Sequence, residues 1–211
     1  MEGGTALHRA VQGGYTADMA FTLQIGASAP DFNLPGVDGR NYSLASFAQA
    51  KALVVVFSCN HCPYVVGSEQ RMKKFYADFK PRGVEMIAIN SNSENTYAED
   101  SFEHMVERAK RLGFEFPYVR DKTQQVALAY GALRTPHFYV FDRDRKLVYT
   151  GRMDNSPKDP AGATTHELRD AVEAVLEGRK PPVAMTNPIG CNVKWEGKPA
   201  HWMPAEACDL V

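Results

Sequence analysis

Short apolar runs alternate along the chain with segments of helical periodicity. Residues 53–57 are apolar at every position, which is typical of a central strand that helices cover on both faces. Residues 84–89 are apolar except for Glu85 and predict a second buried strand. Between the two runs, apolar residues at helical spacing form one stripe over residues 65–79, and Lys73 and Lys74 lie outside it. These patterns predict a buried strand, an amphipathic helix and a second buried strand.

The second half of the chain continues the alternation and closes with a hairpin and a helix. Apolar spacing predicts further elements over residues 102–109, 126–130, 138–141, 147–149 and 164–177. The last helix begins with Thr164 and, three residues later, Glu167, a spacing typical of a capping box. Strands and helices in alternation, followed by a hairpin, predict an α/β fold with a mixed central sheet and helices on both faces.

The two ends of the chain differ in composition from its middle. Residues 1–18 are small and polar and have no countable period, so we expect a disordered extension there. Residues 19–180 contain the predicted strands and helices, and we interpret them as one domain. Residues 181–211 are rich in proline and contain Trp195 and Trp202. We expect them to form a C-terminal tail that packs on this domain.

The balance of charges excludes some classes of partner. The 24 basic and 25 acidic residues give a formal net charge of −1, so the composition indicates neither a nucleic acid nor an anionic membrane as partner. No apolar run approaches the roughly 20 residues of a membrane span, and the first residues lack the apolar stretch of a secretory signal. We therefore expect a soluble, cytoplasmic protein. In that compartment a close cysteine pair is more often catalytic or metal-binding than structural.

Two cysteines lie three residues apart, directly after the first buried strand. In Cys59-Asn60-His61-Cys62 the second cysteine begins the predicted helix, and Pro63 follows it. The unpaired N–H groups and the dipole at a helix N-terminus favour a thiolate over a thiol, and a protonated His61 would add to this effect. We expect Cys59, as the more exposed sulfur, to attack a disulfide, and Cys62 to resolve the mixed disulfide.

A metal site is an alternative use of the same residues. Cys59, His61 and Cys62 could bind zinc or copper, but metal sites need three or four ligands and the sequence offers no second pair of this kind. Cys191 and Cys208 could complete such a site only if the tail folds back. We therefore expect neither a metal ion nor another cofactor. Alternatively, Cys59 and Cys62 are a buried pair that is chemically inert and has only a structural role.

At these residues the chain resembles the thioredoxin superfamily, in its peroxiredoxin-like and TlpA-like branch. Residues 29–34, Ala-Pro-Asp-Phe-Asn-Leu, look like the entry segment of peroxiredoxin-type proteins, and the strand–CxxC–helix unit follows. Thr135-Pro136 occupies the place of a proline that is cis in this superfamily and faces the cysteines. Residues 188–195 look like the Gly-Cys-x-Ile-Lys-Trp ending of a peroxiredoxin-like subgroup. The resemblance implies a thioredoxin-like fold.

The resemblance implies two activities, of which we favour the first. A thiol–disulfide oxidoreductase would use Cys59 and Cys62 as its redox couple, and Thr135-Pro136 would align the backbone of a protein or small-molecule thiol or disulfide. An antioxidant thiol peroxidase would use Cys62 as the peroxidatic cysteine and Arg134 as the activating arginine. A metal-binding or partner-binding module of the same fold is the third alternative.

The chain departs from thioredoxin at the position of a buried acid. Thioredoxin has this acid six residues before its first cysteine, where this chain has Leu53. The group that accepts the proton of the resolving cysteine is therefore unassigned.

Cys191 lies in the tail, away from the CxxC motif in sequence. We expect it to pack as a small hydrophobic side chain. The alternative is a third redox group near Cys59 or Cys62, and a disulfide with Cys208 is a weaker option.

Overall fold

The computed structural model describes residues 21–204, so the predicted extension over residues 1–18 and the thiol of Cys208 lie outside the described residues. The strands, in chain order, are β1 (Asn33–Pro35), β2 (Asn41–Ser43), β3 (Ala52–Ser58), β4 (Val84–Asn90), β5 (Tyr118–Arg120), β6 (Arg134–Thr135), β7 (His137–Phe141), β8 (Leu147–Gly151) and β9 (Cys191–Asn192). The α-helices are α1 (Pro63–Phe79), α2 (Phe102–Leu112), α3 (Gln125–Tyr130) and α4 (Glu167–Leu176).

The centre of the fold is a mixed sheet with the strand order β5-β4-β3-β7-β8. Strand β3 is parallel to β4 and antiparallel to β7, and every one of its residues is buried. Val54 and Val56 face a core formed with α1, α2 and α4, whereas Val55 and Phe57 face a second core formed with α3. Because successive strand residues point to opposite faces, one apolar run supplies both cores. The predicted mixed sheet with helices on both faces is confirmed.

Helix α1 buries most of its predicted stripe but differs at two positions. Val66 is 47% exposed, whereas Glu69 is only 5% exposed. A charged residue on a helix is usually solvated, but the carboxylate of Glu69 accepts a hydrogen bond of 2.7 Å from Arg108 of α2. A buried carboxylate needs such a partner because burial alone disfavours its charge.

The predicted capping box at the start of the last helix is also wrong. Helix α4 begins at Glu167. The N–H of Thr164 donates to Asn155 Oδ1 at 2.9 Å, and the carboxylate of Glu167 accepts from Thr165 Oγ1 at 2.8 Å and pairs with Arg152. The ion pair with Arg152 binds the carboxylate that the capping box would need.

After α4 the chain returns across the molecule to the region of the CxxC motif. There β9 pairs antiparallel with β6, so that Cys191 lies opposite Thr135. Val193 is 1% exposed and belongs to the core on the α3 side of the sheet. The tail is therefore held by a strand pair and by apolar burial, which is what fixes a segment with little regular structure.

Candidate active site

The two cysteines lie at the junction of β3 and α1, as the sequence predicts. Cys59 directly follows β3, and Cys62 is the N-cap of α1, with Pro63 as the first helical residue. Both sulfur-bearing side chains are buried, with Cys59 1% and Cys62 0% exposed. The two side chains hardly differ in exposure, so exposure does not distinguish Cys59 as the attacking cysteine. Thr135, which the resemblance places opposite the cysteines, and Cys191 of the tail both pack over the pair.

Thr135 contacts both cysteines. The peptide bond between Thr135 and Pro136 is cis, as predicted. The hydroxyl oxygen of Thr135 lies 3.4 Å from Cys59 Sγ, and its carbonyl oxygen lies 3.1 Å from Cys62 Sγ, where it can accept a hydrogen bond from the thiol form of Cys62. The structure thus brings Cys59, Cys62, Thr135 and Pro136 together in one buried site.

The two thiols have opposite shifts of pKa. The hydrogen bond from Cys59 outweighs burial and lowers the pKa of Cys62 to about 4. The thiol and N–H of Cys191 and the N–H of Val65 act in the same direction. Burial raises the pKa of Cys59 well above its usual value, and the neighbouring Cys62 and the charge of Asp100 add to this. Within the pair, these shifts favour the proton on Cys59 and the negative charge on Cys62.

Asp100 is a buried acid beside the cysteines that the sequence did not single out. It is 0% exposed, and its carboxylate accepts hydrogen bonds from the Asn60 N–H at 2.6 Å and the Asn92 amide at 3.0 Å. Its Oδ2 lies 2.6 Å from Nδ1 of His61. Burial tends to raise the pKa of Asp100, but the bonds with His61 and Asn60 outweigh it and keep this pKa below its usual value.

His61 connects Asp100 to the solvent edge of the site. Its ring stacks on Tyr97, with centroids 3.9 Å apart and an interplanar angle of 13°. One ligand atom each of Cys59, His61 and Asp100 lies within 4.8 Å of the others. These three groups could bind a metal ion, although they differ from the predicted set, which had Cys62 in place of Asp100. The same proximity allows a proton to pass from Cys59 towards His61 and Asp100.

Arg134 binds the tail. Its guanidinium donates to Asn192 Oδ1 at 2.6 Å and to the carbonyl oxygen of Gly190 at 3.4 Å. Arg134 therefore holds the segment that carries Cys191. The role of activating arginine, which the peroxidase alternative assigned to it, stays a prediction.

His137, which directly follows the cis proline, has a structural environment. It is 1% exposed, its Nε2 lies 3.0 Å from Thr150 Oγ1, and the N–H of Leu133 donates to its Nδ1 at 3.3 Å. Burial lowers the pKa of His137 to about 3, so the imidazole is neutral at physiological pH. This histidine therefore packs as a buried residue beside the site.

A buried dithiol at a strand–helix junction, facing a cis proline, defines the site as that of a thioredoxin-like redox protein, and known proteins agree. Thiol-disulfide oxidoreductase ResA of Geobacillus thermodenitrificans (strain NG80-2) is 29% identical over 133 residues, which cover 62% of this chain and 72% of ResA. The crystal structure of an uncharacterized conserved protein from Geobacillus kaustophilus is 41% identical, with a TM-score of 0.80, and covers 88% of this chain and 100% of that one. Chloroplastic peroxiredoxin Q of Suaeda salsa is 26% identical over 150 residues, 66% of this chain and 65% of that protein.

The profile of the Redoxin family matches residues 24–167, and the chain belongs to this family. The predictions of a thioredoxin-like fold and of the peroxiredoxin-like branch are thereby confirmed. The protein is an enzyme, a thiol–disulfide oxidoreductase.

The predicted cytoplasmic location is wrong. Several of the relatives are ResA proteins, and ResA-like homologues are membrane-anchored, extracytoplasmic thiol–disulfide oxidoreductases. The prediction was based on composition and on the character of the first residues, whereas the chemistry of a buried dithiol is the same on either side of a membrane. Within residues 21–204, no helix has the length and apolar character that crossing a bilayer requires.

Proposed function

We propose that Cys59 and Cys62 are the redox couple of this oxidoreductase, with Cys62 as the attacking thiolate and Cys59 as the resolving thiol. The observation that carries this order is the position of Cys62 as the N-cap of α1, where the helix dipole favours a thiolate, and the opposite directions of the two pKa shifts agree with it. A thiolate is the species that attacks a disulfide. This reverses the order expected from the sequence, because that order depended on an exposed Cys59.

The exchange proceeds in two steps. The thiolate of Cys62 attacks one sulfur of a substrate disulfide, forms a mixed disulfide and releases the other substrate sulfur as a thiolate. Cys59 then attacks the sulfur of Cys62, which forms the Cys59–Cys62 disulfide and releases the second substrate thiolate. The substrate gains two electrons and the cysteine pair loses two. Run in reverse, the same steps oxidise a substrate dithiol.

The second step requires a base because Cys59 is protonated. His61 and Asp100 are the groups within reach of its sulfur, and they form a hydrogen-bonded pair. We propose that this pair accepts the proton of Cys59 when Cys59 attacks Cys62. Asp100 would then take the role of the buried acid that thioredoxin has at the position of Leu53.

Alkylation rates measured against pH test the assignment of the thiolate. In Cys59→Ser, where the hydroxyl still donates to Cys62, we expect the midpoint for Cys62 to lie clearly below about 8.5, the value of a free cysteine. In Cys62→Ser, burial should keep the midpoint for Cys59 above about 8.5. Peptide mapping reads each thiol separately. The reverse order of midpoints would restore Cys59 as the nucleophile.

A peroxidase is a second candidate, and one observation favours it. A low-pKa thiolate at Cys62, followed by Pro63 at the first helical position, is the arrangement that the peroxidase alternative requires, and peroxiredoxin Q is among the relatives. We expect hydrogen peroxide to oxidise Cys62 more slowly than a disulfide substrate does, because Arg134 is bound to the tail. Consumption of a thiol reductant that depends on peroxide and matches the disulfide rate would make peroxidase the better assignment.

A further inference from the structure

The tail strand β9 lies directly over the cysteine pair. It pairs antiparallel with β6, with Cys191 opposite Thr135 and Asn192 opposite Arg134. The approach is close: a Cβ on Gly190 would lie 2.2 Å from the carbonyl oxygen of Thr135. Only glycine fits at a contact of this kind. The strand therefore occupies the edge beside the cis proline, where the backbone of an extended thiol-bearing peptide would also pair.

The residues that follow Cys191 fix its position. The N–H of Val193 donates to the carbonyl oxygen of Leu133 at 3.1 Å, and the side chain of Val193 is 1% exposed. The N–H of Lys194 donates to Asn92 Oδ1 at 2.8 Å. With the strand pair on one side and this anchor on the other, the thiol of Cys191 is held in a defined place.

The thiol of Cys191 lies against Cys62. Cys191 packs on the cluster formed by Cys59, Cys62 and Val65, and it is half-buried while the other two thiols are buried. A surface cleft of about 240 Å³ opens beside it, lined among others by Arg134 and Gly190. Among the three cysteines that the structure describes, Cys191 is therefore the one that a thiol in solution can reach without displacement of the tail.

We propose that Cys191 is a third redox group, which exchanges a disulfide with Cys62, so that Cys62 bonds either to Cys59 or to Cys191. This inference rests on the proposed role of the Cys59–Cys62 couple. The thiolate of Cys191 attacks the sulfur of Cys62 in the Cys59–Cys62 disulfide, the new bond forms as the old one breaks, and Cys59 leaves as a thiolate. Cys59 takes up the proton that Cys191 released, so the exchange is neither an oxidation nor a reduction.

The exchange moves the disulfide from a buried pair to the accessible tail. An external thiolate can then attack the sulfur of Cys191, form a mixed disulfide there and release Cys62 as a thiolate. A second external thiol resolves this mixed disulfide and restores the Cys191 thiol, so two external thiols become one disulfide. The order of steps explains how a couple with almost no exposed sulfur surface exchanges electrons with the solution.

The redox state of Cys62 controls the reactivity of Cys191. In the reduced protein, burial raises the pKa of Cys191 to about 11, and the hydrogen bond and charge of Cys62 contribute in the same direction. A disulfide at Cys62 removes the two contributions of Cys62. The pKa of Cys191 then falls towards its ordinary value, which raises its thiolate fraction when there is a disulfide to attack.

Oxidation with glutathione disulfide, followed by acid quenching, alkylation and non-reducing peptide mapping, tests the proposal. In Cys59→Ser we expect an intramolecular Cys62–Cys191 disulfide as the main product, and in Cys62→Ser no Cys59–Cys191 disulfide. A Cys59→Ser protein that ends with glutathione on Cys62 and a free Cys191, or with a bond from Cys62 to Cys208, would overturn the proposal. The wild-type protein then separates the two proposals. If it forms no Cys59–Cys62 disulfide, the proposed redox couple is wrong as well. If it does form this disulfide, only the proposed role of Cys191 is wrong.

Gly190→Ala provides a variant that keeps every cysteine. Because the added Cβ cannot fit against Thr135, the strand pair must open and Cys191 must move away from Cys62. In the Cys59→Ser background we expect Gly190→Ala to slow formation of the Cys62–Cys191 disulfide by about tenfold or more, since exchange depends on the two sulfurs being held together. An unchanged rate would show that the observed pairing of β6 and β9 is not what brings the sulfurs into contact.

Discussion

Asp100 illustrates what single residues contribute to the site and why the sequence could not reveal it. The unbroken apolar run over residues 53–57 predicts Leu53 as a core position, and the structure places it in the core. An acid was therefore missing where thioredoxin has one. Asp100 comes from the segment before α2 and reaches the cysteines only through the packing of that segment. In sequence it looks like an ordinary polar residue before a helix.

Replacement of Asp100 should slow the resolving step. In Asp100→Asn the lifetime of the mixed disulfide between Cys62 and a substrate should rise by about 10²-fold at pH 7, a common contribution of a general base. The effect should shrink as the pH rises, because Cys59 then loses its proton to solvent and needs no acceptor. Stopped-flow release of the second substrate thiol at several pH values measures this lifetime.

Glu99→Gln is the matched control for this prediction, since it neutralises an exposed neighbouring carboxylate and leaves the backbone oxygen that binds Asn60. We expect it to release the second thiol at the wild-type rate. An Asp100→Asn protein with the same lifetime as wild type at pH 7 would remove Asp100 from the mechanism.

At the scale of elements, the sequence predicts the strands and helices that local periodicity defines. It does not predict contacts between elements that are distant in sequence. The bounds of β3 and α1 and the hairpin of β7 and β8 follow from apolar spacing and from the turn residues between them. Glu69 has no such local signal, because the face of α1 that it occupies is covered by α2. Its partner, Arg108, belongs to a helix whose position relative to α1 the sequence pattern does not give.

The pair formed by Glu69 and Arg108 should stabilise the contact of α1 with α2. Arg108→Met leaves a buried carboxylate without its partner, and we expect a loss of about 3 kcal/mol in the free energy of unfolding at pH 7. The loss should be smaller at pH 5. Burial already raises the pKa of Glu69, and removal of Arg108 raises this pKa further. The protonated carboxyl is neutral, so its burial does not carry the cost of burying a charge. Urea denaturation at both pH values measures the change.

Two further variants complete this test. Glu69→Leu combined with Arg108→Met should recover most of the stability, because apolar residues of similar size often replace a buried ion pair at little cost. Lys74→Met removes a lysine from an exposed pair with Asp78, and we expect little change from it. An Arg108→Met protein as stable as wild type would show that the pair does not hold the two helices together.

At the scale of the whole molecule, the tail joins the fold to the site. Composition set residues 181–211 apart as a tail that packs on the domain, and the structure shows that the buried Val193 anchors it. The strand pair that places Cys191 opposite Thr135 could not be predicted, since two residues of β structure have no periodicity to detect. The boundaries at residues 18 and 180 stay predictions. The relatives, rather than any sequence pattern, identified the compartment in which such proteins work.

The central claim is that Cys62 is the thiolate that first bonds to a substrate disulfide. It is tested most directly with two double variants, Cys59→Ser/Cys191→Ser and Cys62→Ser/Cys191→Ser, each treated with glutathione disulfide at pH 7 and mapped by mass spectrometry. We predict a glutathione adduct on Cys62 in the first protein, formed at least about tenfold faster than any adduct on Cys59 in the second, because the pKa of Cys62 is lowered and that of Cys59 is raised. Faster adduct formation on Cys59 would contradict the account.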